Sequence, residues 1–166
     1  LIRALHESGM NDAKLKWPND ILHHFHKFAG VLIETGSEID GKSYAVIGIG
    51  INIELPAEAR AGIGQAVTDW LGVTQTAIDR NHLLARVLNH LAVVLNQFDQ
   101  YGLAPLRAEW VGYHAYQNKN VRLVWPDGSE IHGRVNGIAE NGALLLQTSE
   151  GEKSFSVGEI SLRAAE

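Results

Sequence analysis

The sequence predicts an α+β chain: a mixed or antiparallel sheet with packed helices, followed by a small all-β barrel. Three patterns carry that expectation. Residues 31–34 and 44–53 read as two strands joined by a Gly/Ser/Asp-rich connection, the pattern of an antiparallel hairpin. Residues 80–101 repeat apolar side chains at three- and four-residue intervals, the period of a helix with one wide apolar stripe. From Asn120 onward, strand-like runs alternate with Pro126-Asp127-Gly128, Asn141-Gly142 and Ser149-Glu150-Gly151. These are tight-hairpin signals, and short strands so spaced suit a barrel better than an open sheet.

In chain order, residues 1–9 read as the end of a helix, with Ile2 and Leu5 apolar and Gly9 positioned to terminate it. Leu15-Lys16-Trp17 is strand-like and is broken by Pro18; Asn19 and Asp20 then follow as turn formers that can aim polar groups at a ligand. His23, His24 and His26 bring three imidazoles close together, yet a structural zinc site wants a second ligand pair at fixed spacing. The stretch is therefore taken as an exposed loop, and no metal ligand is assigned. Lys27 opens the apolar run Phe28-Ala29-Gly30-Val31-Leu32-Ile33. It is either a solvated strand-end lysine or an ammonium set to neutralise a carboxylate or phosphate.

Strand side chains alternate, so Ile47, Ile49, Ile51 and Ile53 share one face while Val46, Gly48, Gly50 and Asn52 share the other. Glycines on one face leave it bare, either to relieve crowding against a helix or to admit a ligand or another backbone. No third glycine and no helix follow, so this is not a dinucleotide fingerprint. Residues 54–64 read as a mobile loop and residues 65–72 as a short helix holding Trp70 and Leu71 inward. Asp79 caps the long helix, Gly102 stops it, and Leu84, Val87, Leu88, Leu91, Val94, Leu95 and Phe98 form its stripe. A second helix starts near Pro105 and runs to Tyr113, with Leu106 and Trp110 inward.

Composition excludes several classes. With 45% hydrophobic and 20% charged residues the chain can bury a core. A net charge of -5 without a Lys/Arg cluster argues against a nucleic-acid surface. Zero cysteines leave no disulfide framework or thiol chemistry, which suits a cytoplasmic location. No signal peptide is visible, and no apolar run approaches the ~18 residues of a membrane span. No Ser/His/Asp constellation supports an acyl-enzyme.

KWPND at residues 16–20, KFAGVLIE at 27–34, GIGIN at 48–52 and GEISLR at 158–163 together resemble, in order and spacing, the motifs of biotin protein ligases. The resemblance spans nearly the whole chain. It implies part of a catalytic domain of the class II aminoacyl-tRNA-synthetase-like type over residues 1–117, and an SH3-like barrel over 118–166. It further implies an enzyme that joins biotin to ATP, with Mg²⁺ on the phosphates, and passes the biotinoyl group to a lysine of the biotin carboxyl carrier protein of acetyl-CoA carboxylase. Carried onto this sequence, the catalytic residues are Lys27, Lys16 and Asp20, with Asp20 a candidate base for the carrier lysine. The biotin- and adenylate-binding residues are Lys27, Asn19, Asp20, Gly30, Gly48, Gly50, Asn52, Glu159 and Arg163. The family's edge-to-edge pairing implies a homodimer, which nothing in the sequence itself requires.

One departure bears on all of this. The family's G-R-G-R-x-G loop lies before KWPND, and this sequence has none; with Leu1 first and Met10 its sole methionine, the chain is expected to be the C-terminal half of a longer ligase. Half of the biotin pocket would then be missing. A lipoate ligase or octanoyltransferase, and a non-catalytic module that binds a carrier domain, are the rival readings.

Overall fold

The computed structural model describes residues 1–37, 43–156 and 160–165, folded around two antiparallel sheets. Helix α1 (Ile2–Glu7) buries Ile2, Ala4 and Leu5. It ends as expected at Gly9, which takes φ +99° while the Gly9 and Met10 N–H groups return to the carbonyls of His6 and Leu5 at 3.0 and 2.9 Å.

The first sheet runs β1 (Ala13–Lys16), β2 (Asp20–His23), β3 (His26–Ser37) and β4 (Ser43–Ile51), in that order, each antiparallel to the next. The predicted hairpin is β3–β4. Strand β2 corrects the expectation of a loop before Lys27: His24 and Phe25, at φ 46° and 65°, close a two-residue turn between β2 and β3. Left-handed turn pairs are usually Asn-Gly or Asp-Gly, so a His-Phe pair carries no such signal. Ala29, Val31, Ile49 and Ile51 face the core with Phe28 and Trp70, whereas Gly30 pairs Gly50 and Leu32 pairs Gly48 on the opposite face.

Residues 54–64 are not loop throughout. Helix α2 (Ala57–Gly62) follows Pro56, and its Ala, Glu and Arg residues are good helix formers. Helix α3 (Trp70–Thr74) begins later than predicted, where the Asp69 carboxylate accepts the Gly72 N–H at 2.7 Å. Trp70 is buried, but Leu71, about 100° further round the helix, is exposed.

In α4 (Arg80–Tyr101) the Asp79 carboxylate caps the Asn81 and His82 N–H groups at 2.8 and 3.2 Å, and Gly102 ends the helix. The apolar stripe is present, but Leu84, Leu88, Leu95 and Phe98 are each about half exposed, and only Leu83 and Val87 of this helix are buried. Helix α4 packs on α1 and α5 (Ala104–Tyr113), which together cover only part of it. Pro105 lies in the first turn of α5, and Leu106 and Trp110 are half-buried. Among the described residues no helix is long and apolar enough to cross a membrane.

The second sheet comprises β5 (Asn120–Val124), β6 (Glu130–Ile138), β7 (Leu144–Thr148), β8 (Gly151–Phe155) and β9 (Ser161–Ala164), ordered β8-β7-β6-β5-β9. Gly128, Gly142 and Gly151 take φ +82°, +83° and +107° in the three predicted turns. The expected barrel is corrected to an open sheet, since β8 and β9 form its two edges and do not pair among the described residues. A bulge in β6 between Val135 and Ile138, with Gly137 at φ +95°, bends the sheet over a core of Val121, Leu123, Leu144, Leu146 and Leu162. Trp17 and Leu22, from the first sheet's half, are buried in this second core.

Gly133 in β6 marks a close approach of strands. A Cβ there would lie 2.9 Å from the Gln147 carbonyl oxygen and 3.2 Å from the Leu146 Cβ. Gly133→Ala is therefore expected to destabilise by about 1–3 kcal/mol, the usual cost of overpacking. Urea unfolding checks it; a midpoint equal to wild type would show that β7 moves aside freely.

Candidate active site

The segment from Lys16 to Asp20 is a turn held from three sides. Lys16 and Asp20 pair across β1 and β2, and the connecting Trp17–Pro18 peptide is cis. Trp17 anchors the turn to the second sheet, its Nε1–H donating to the Gly142 carbonyl at 3.2 Å. Asn19 anchors it to β3: its carbonyl accepts the Val31 N–H at 2.9 Å and its Nδ2 donates to the Val31 carbonyl at 2.7 Å. With both ends fixed, the Asp20 carboxylate is aimed at two ammonium groups. Lys27 Nζ lies 2.7 Å from Oδ1 and Lys16 Nζ 3.4 Å from Oδ2.

These groups line a cleft of about 540 Å³ between the two sheets, with Pro18, Asn19 and Gln65 on one side and Ile160, Ser161 and Arg163 on the other. The cleft thereby brings Arg163, from the far end of the chain, to Lys16, Asp20 and Lys27. Among the described lining residues Asp20 is the one carboxylate against three cations, so the cleft carries surplus positive charge. Burial pushes the Lys16 ammonium below the usual lysine range; Asp20 offsets part of this, while Arg163 and Lys27 add to it. An anion entering the cleft would relieve both the burial cost and the mutual repulsion.

Gly30 adjoins the charged group. A Cβ on Gly30 would sit 3.6 Å from Asp20 Oδ1 and 3.7 Å from Lys27 Nζ, which is ordinary contact. At Gly50 it would meet nothing within 4 Å, and at Gly48 only the Leu32 carbonyl and Cβ at 3.7 and 3.8 Å. Among the described residues, then, no crowding accounts for the glycines. Asn52 does not line the cleft. Its Nδ2 donates to the carbonyls of Thr68 at 3.0 Å and Lys27 at 3.4 Å, which ties the end of β4 to the backbone that carries Lys27. Glu159 lies outside the described residues.

His114 is a residue the sequence did not single out. It is buried behind the turn, stacked on Trp110 with ring centroids 4.8 Å apart, and its Nε2 accepts the Trp17 N–H at 3.3 Å. Nothing local in Tyr113-His114-Ala115-Tyr116 announces a partner so distant in the chain. Burial lowers its pKa from 6.5 to about 4. The native state thus holds His114 neutral while the unfolded chain protonates it. Its contribution to stability is complete above about pH 6.5, and about 3 kcal/mol is lost as pH falls from there toward 4. Urea unfolding at pH 7 and pH 5 should show this loss in the wild type and a flatter profile in His114→Gln; parallel profiles would exclude His114 as the source.

The chain is similar to known proteins over nearly its whole length. Residues 117–163 match the model described as biotin protein ligase C terminal domain. The bifunctional ligase/repressor BirA of Escherichia coli is 34% identical over 168 residues, covering 100% of this chain and 51% of its own length. The biotin--[acetyl-CoA-carboxylase] ligase of Paracoccus denitrificans is 30% identical, covering 88% of this chain and 61% of its own. The chain thus spans about half the length of the E. coli relative. The apo structure of biotin protein ligase from Aquifex aeolicus superposes with TM-score 0.82 at 31% identity, covering 98% of this chain and 70% of that one. The complex of the Aquifex ligase with biotin and ATP likewise gives 0.82, at 30% identity and with 67% of that chain covered.

Proposed function

The chain belongs to the biotin protein ligase family, and we propose that it supplies the cation-lined part of a site that joins biotin to ATP and then biotinylates a carrier lysine. The observation that carries this reading is the meeting of Lys16, Asp20, Lys27 and Arg163 in one cleft beside a glycine-lined strand pair. Activating a carboxylate with ATP brings two anions together, and cations fixed beforehand offset that repulsion without reorganising during the reaction. Lys27 is assigned to the biotin carboxylate and the α-phosphate, and Lys16 and Arg163 to the remaining phosphate charge. Asp20 first holds the two lysines apart; accepting a proton from the carrier lysine is its second assignment.

Mg²⁺ supplies further neutralisation of the phosphates when bound. Because the described cleft's one carboxylate is already engaged by Lys27 and Lys16, the ion would be held chiefly by the nucleotide. The bare face at Gly30, Gly48 and Gly50 would take the fused rings of biotin, and Asn52 would act by holding the Lys27 backbone. Glu159 remains assigned to the adenylate side. The division into residues 1–117 and 118–166, the carrier protein of acetyl-CoA carboxylase as partner, a cytoplasmic location and a homodimer belong to the same proposal.

The test is titration calorimetry of the chain with a non-hydrolysable biotinoyl-adenylate analogue. Saturable binding is expected, and a lipoyl-adenylate analogue should compete poorly. Gly50→Val sharpens it. A Cβ at this position meets no described atom within 4 Å and valine suits a strand, so stability should stay within about 0.5 kcal/mol of wild type while analogue binding is lost. Wild-type affinity in this variant would remove the bare face from the site, and no binding by the unaltered chain would reject the proposal for this chain.

A further inference from the structure

The turn between β2 and β3 lies away from the cleft and is built from histidine. The β1–β2 ladder pairs Ala13 with His23, so Asp12, one residue before the ladder, comes level with His24, one residue beyond it. His24 adopts φ 46°, and its ring meets that of His23 edge to face with centroids 4.4 Å apart. One ligand atom from each of Asp12, His23 and His24 lies within 4.8 Å of the others, and His24 Nε2 is 3.9 Å from Asp12 Oδ2. We propose that these three side chains form a surface site for a divalent transition-metal ion of the zinc class.

The geometry needs little adjustment. Zn²⁺ bonds of about 2.0–2.1 Å in a tetrahedron set neighbouring ligand atoms about 3.4 Å apart, so side-chain rotations that close the group by up to about 1.4 Å suffice. The backbone beneath is already fixed. His26 Nδ1 lies 2.9 Å from the His24 carbonyl oxygen. Phe25, at the tip, packs on the Tyr116 ring at 5.4 Å with the Lys119 ammonium 4.3 Å from its ring centroid. The turn is thus held against the segment between α5 and β5, and less ordering has to be done when an ion binds. Two imidazoles and one carboxylate without a thiolate suit Zn²⁺, Co²⁺ or Ni²⁺ better than Ca²⁺ or Mg²⁺. Three protein ligands leave a fourth position for water, and the exposure of Asp12 and His24 lets the ion exchange with solvent. His26 is no ligand here, although it completes the histidine cluster in sequence. The carboxylate comes instead from strand pairing, which is why the spacing of the histidines alone pointed away from a metal.

The chain, freed of metal, would be titrated with Co²⁺ followed by visible absorption, then with Zn²⁺ in competition and by calorimetry. One equivalent of Co²⁺ should give the intense bands of a four-coordinate ion, removed by Zn²⁺. Since even groups behind a ligand contribute tenfold or more to affinity, His23→Ala, His24→Ala and Asp12→Asn should each weaken binding by at least about tenfold. His26→Ala should not, and circular dichroism of each variant confirms folding. Analogue binding in the cleft should persist in His24→Ala, so failure here is distinct from failure of the ligase reading. Spectra no stronger than those of aqueous Co²⁺, or equal Zn²⁺ affinity in wild type and His24→Ala or Asp12→Asn, would overturn the site.

Discussion

Lys27→Ala is expected to weaken binding of the biotinoyl-adenylate analogue by about 2 kcal/mol, roughly thirtyfold, while the fold is retained. The ammonium sits 2.7 Å from Asp20 and faces the cleft, so its removal has two effects of the same sign. The ligand loses its nearest cation, and Asp20, left with Lys16 alone at 3.4 Å, presents less-compensated negative charge to an anion. Because the Lys27 side chain is one third exposed, the free chain should lose less than about 1 kcal/mol of stability. Calorimetry beside thermal melting separates the two. Lys27→Arg keeps the charge but spreads it over a planar fork, so intermediate binding is expected. Equal affinity in wild type and Lys27→Ala would transfer the leading role to Lys16 or Arg163.

Trp17→Ala should produce the largest loss of stability, about 3–5 kcal/mol, the range for removing a buried aromatic. Domains of this kind are commonly stable by only about 5–15 kcal/mol, so the variant is expected near its folding limit. Trp17 belongs to the first sheet's turn, yet its ring lies in the second core and its Nε1–H bonds Gly142. Trp17→Phe keeps most of the packing and loses the hydrogen bond, and about 1 kcal/mol is expected for that loss. Urea unfolding of both variants is the measurement. A Trp17→Ala midpoint close to wild type would mean that the two halves do not depend on a shared core.

Signals that act over a few residues were readable from sequence. The β3–β4 hairpin, the Asp79 cap and the glycines at 128, 142 and 151 each depend on local chemistry, and each stands where expected. Strand β2 was not readable because His24 and Phe25 occupy left-handed positions that usually belong to glycine or asparagine. Periodicity showed which side of α4 is apolar but not how much of it other elements cover, and so Leu88 and Phe98 stand exposed. For the site, the turn residues explain why Lys16, Asn19 and Asp20 cluster. The arrival of Arg163 depends on how the second sheet docks, which no local pattern contains; here the family resemblance supplied the residue. His114 and the backbone role of Asn52 needed tertiary contacts to be seen.

The surplus of cations in the cleft sits within a chain whose formal charge is -5. At distances beyond the Debye length, about 8–10 Å at ordinary ionic strength, a nucleotide is largely screened from both fields. Closer in, the chain's net negative charge opposes the approach that the cleft's own cations favour. Capture is therefore a short-range event, and a modest addition of salt, by screening the net repulsion at longer range, eases encounter even as it loosens the final grip.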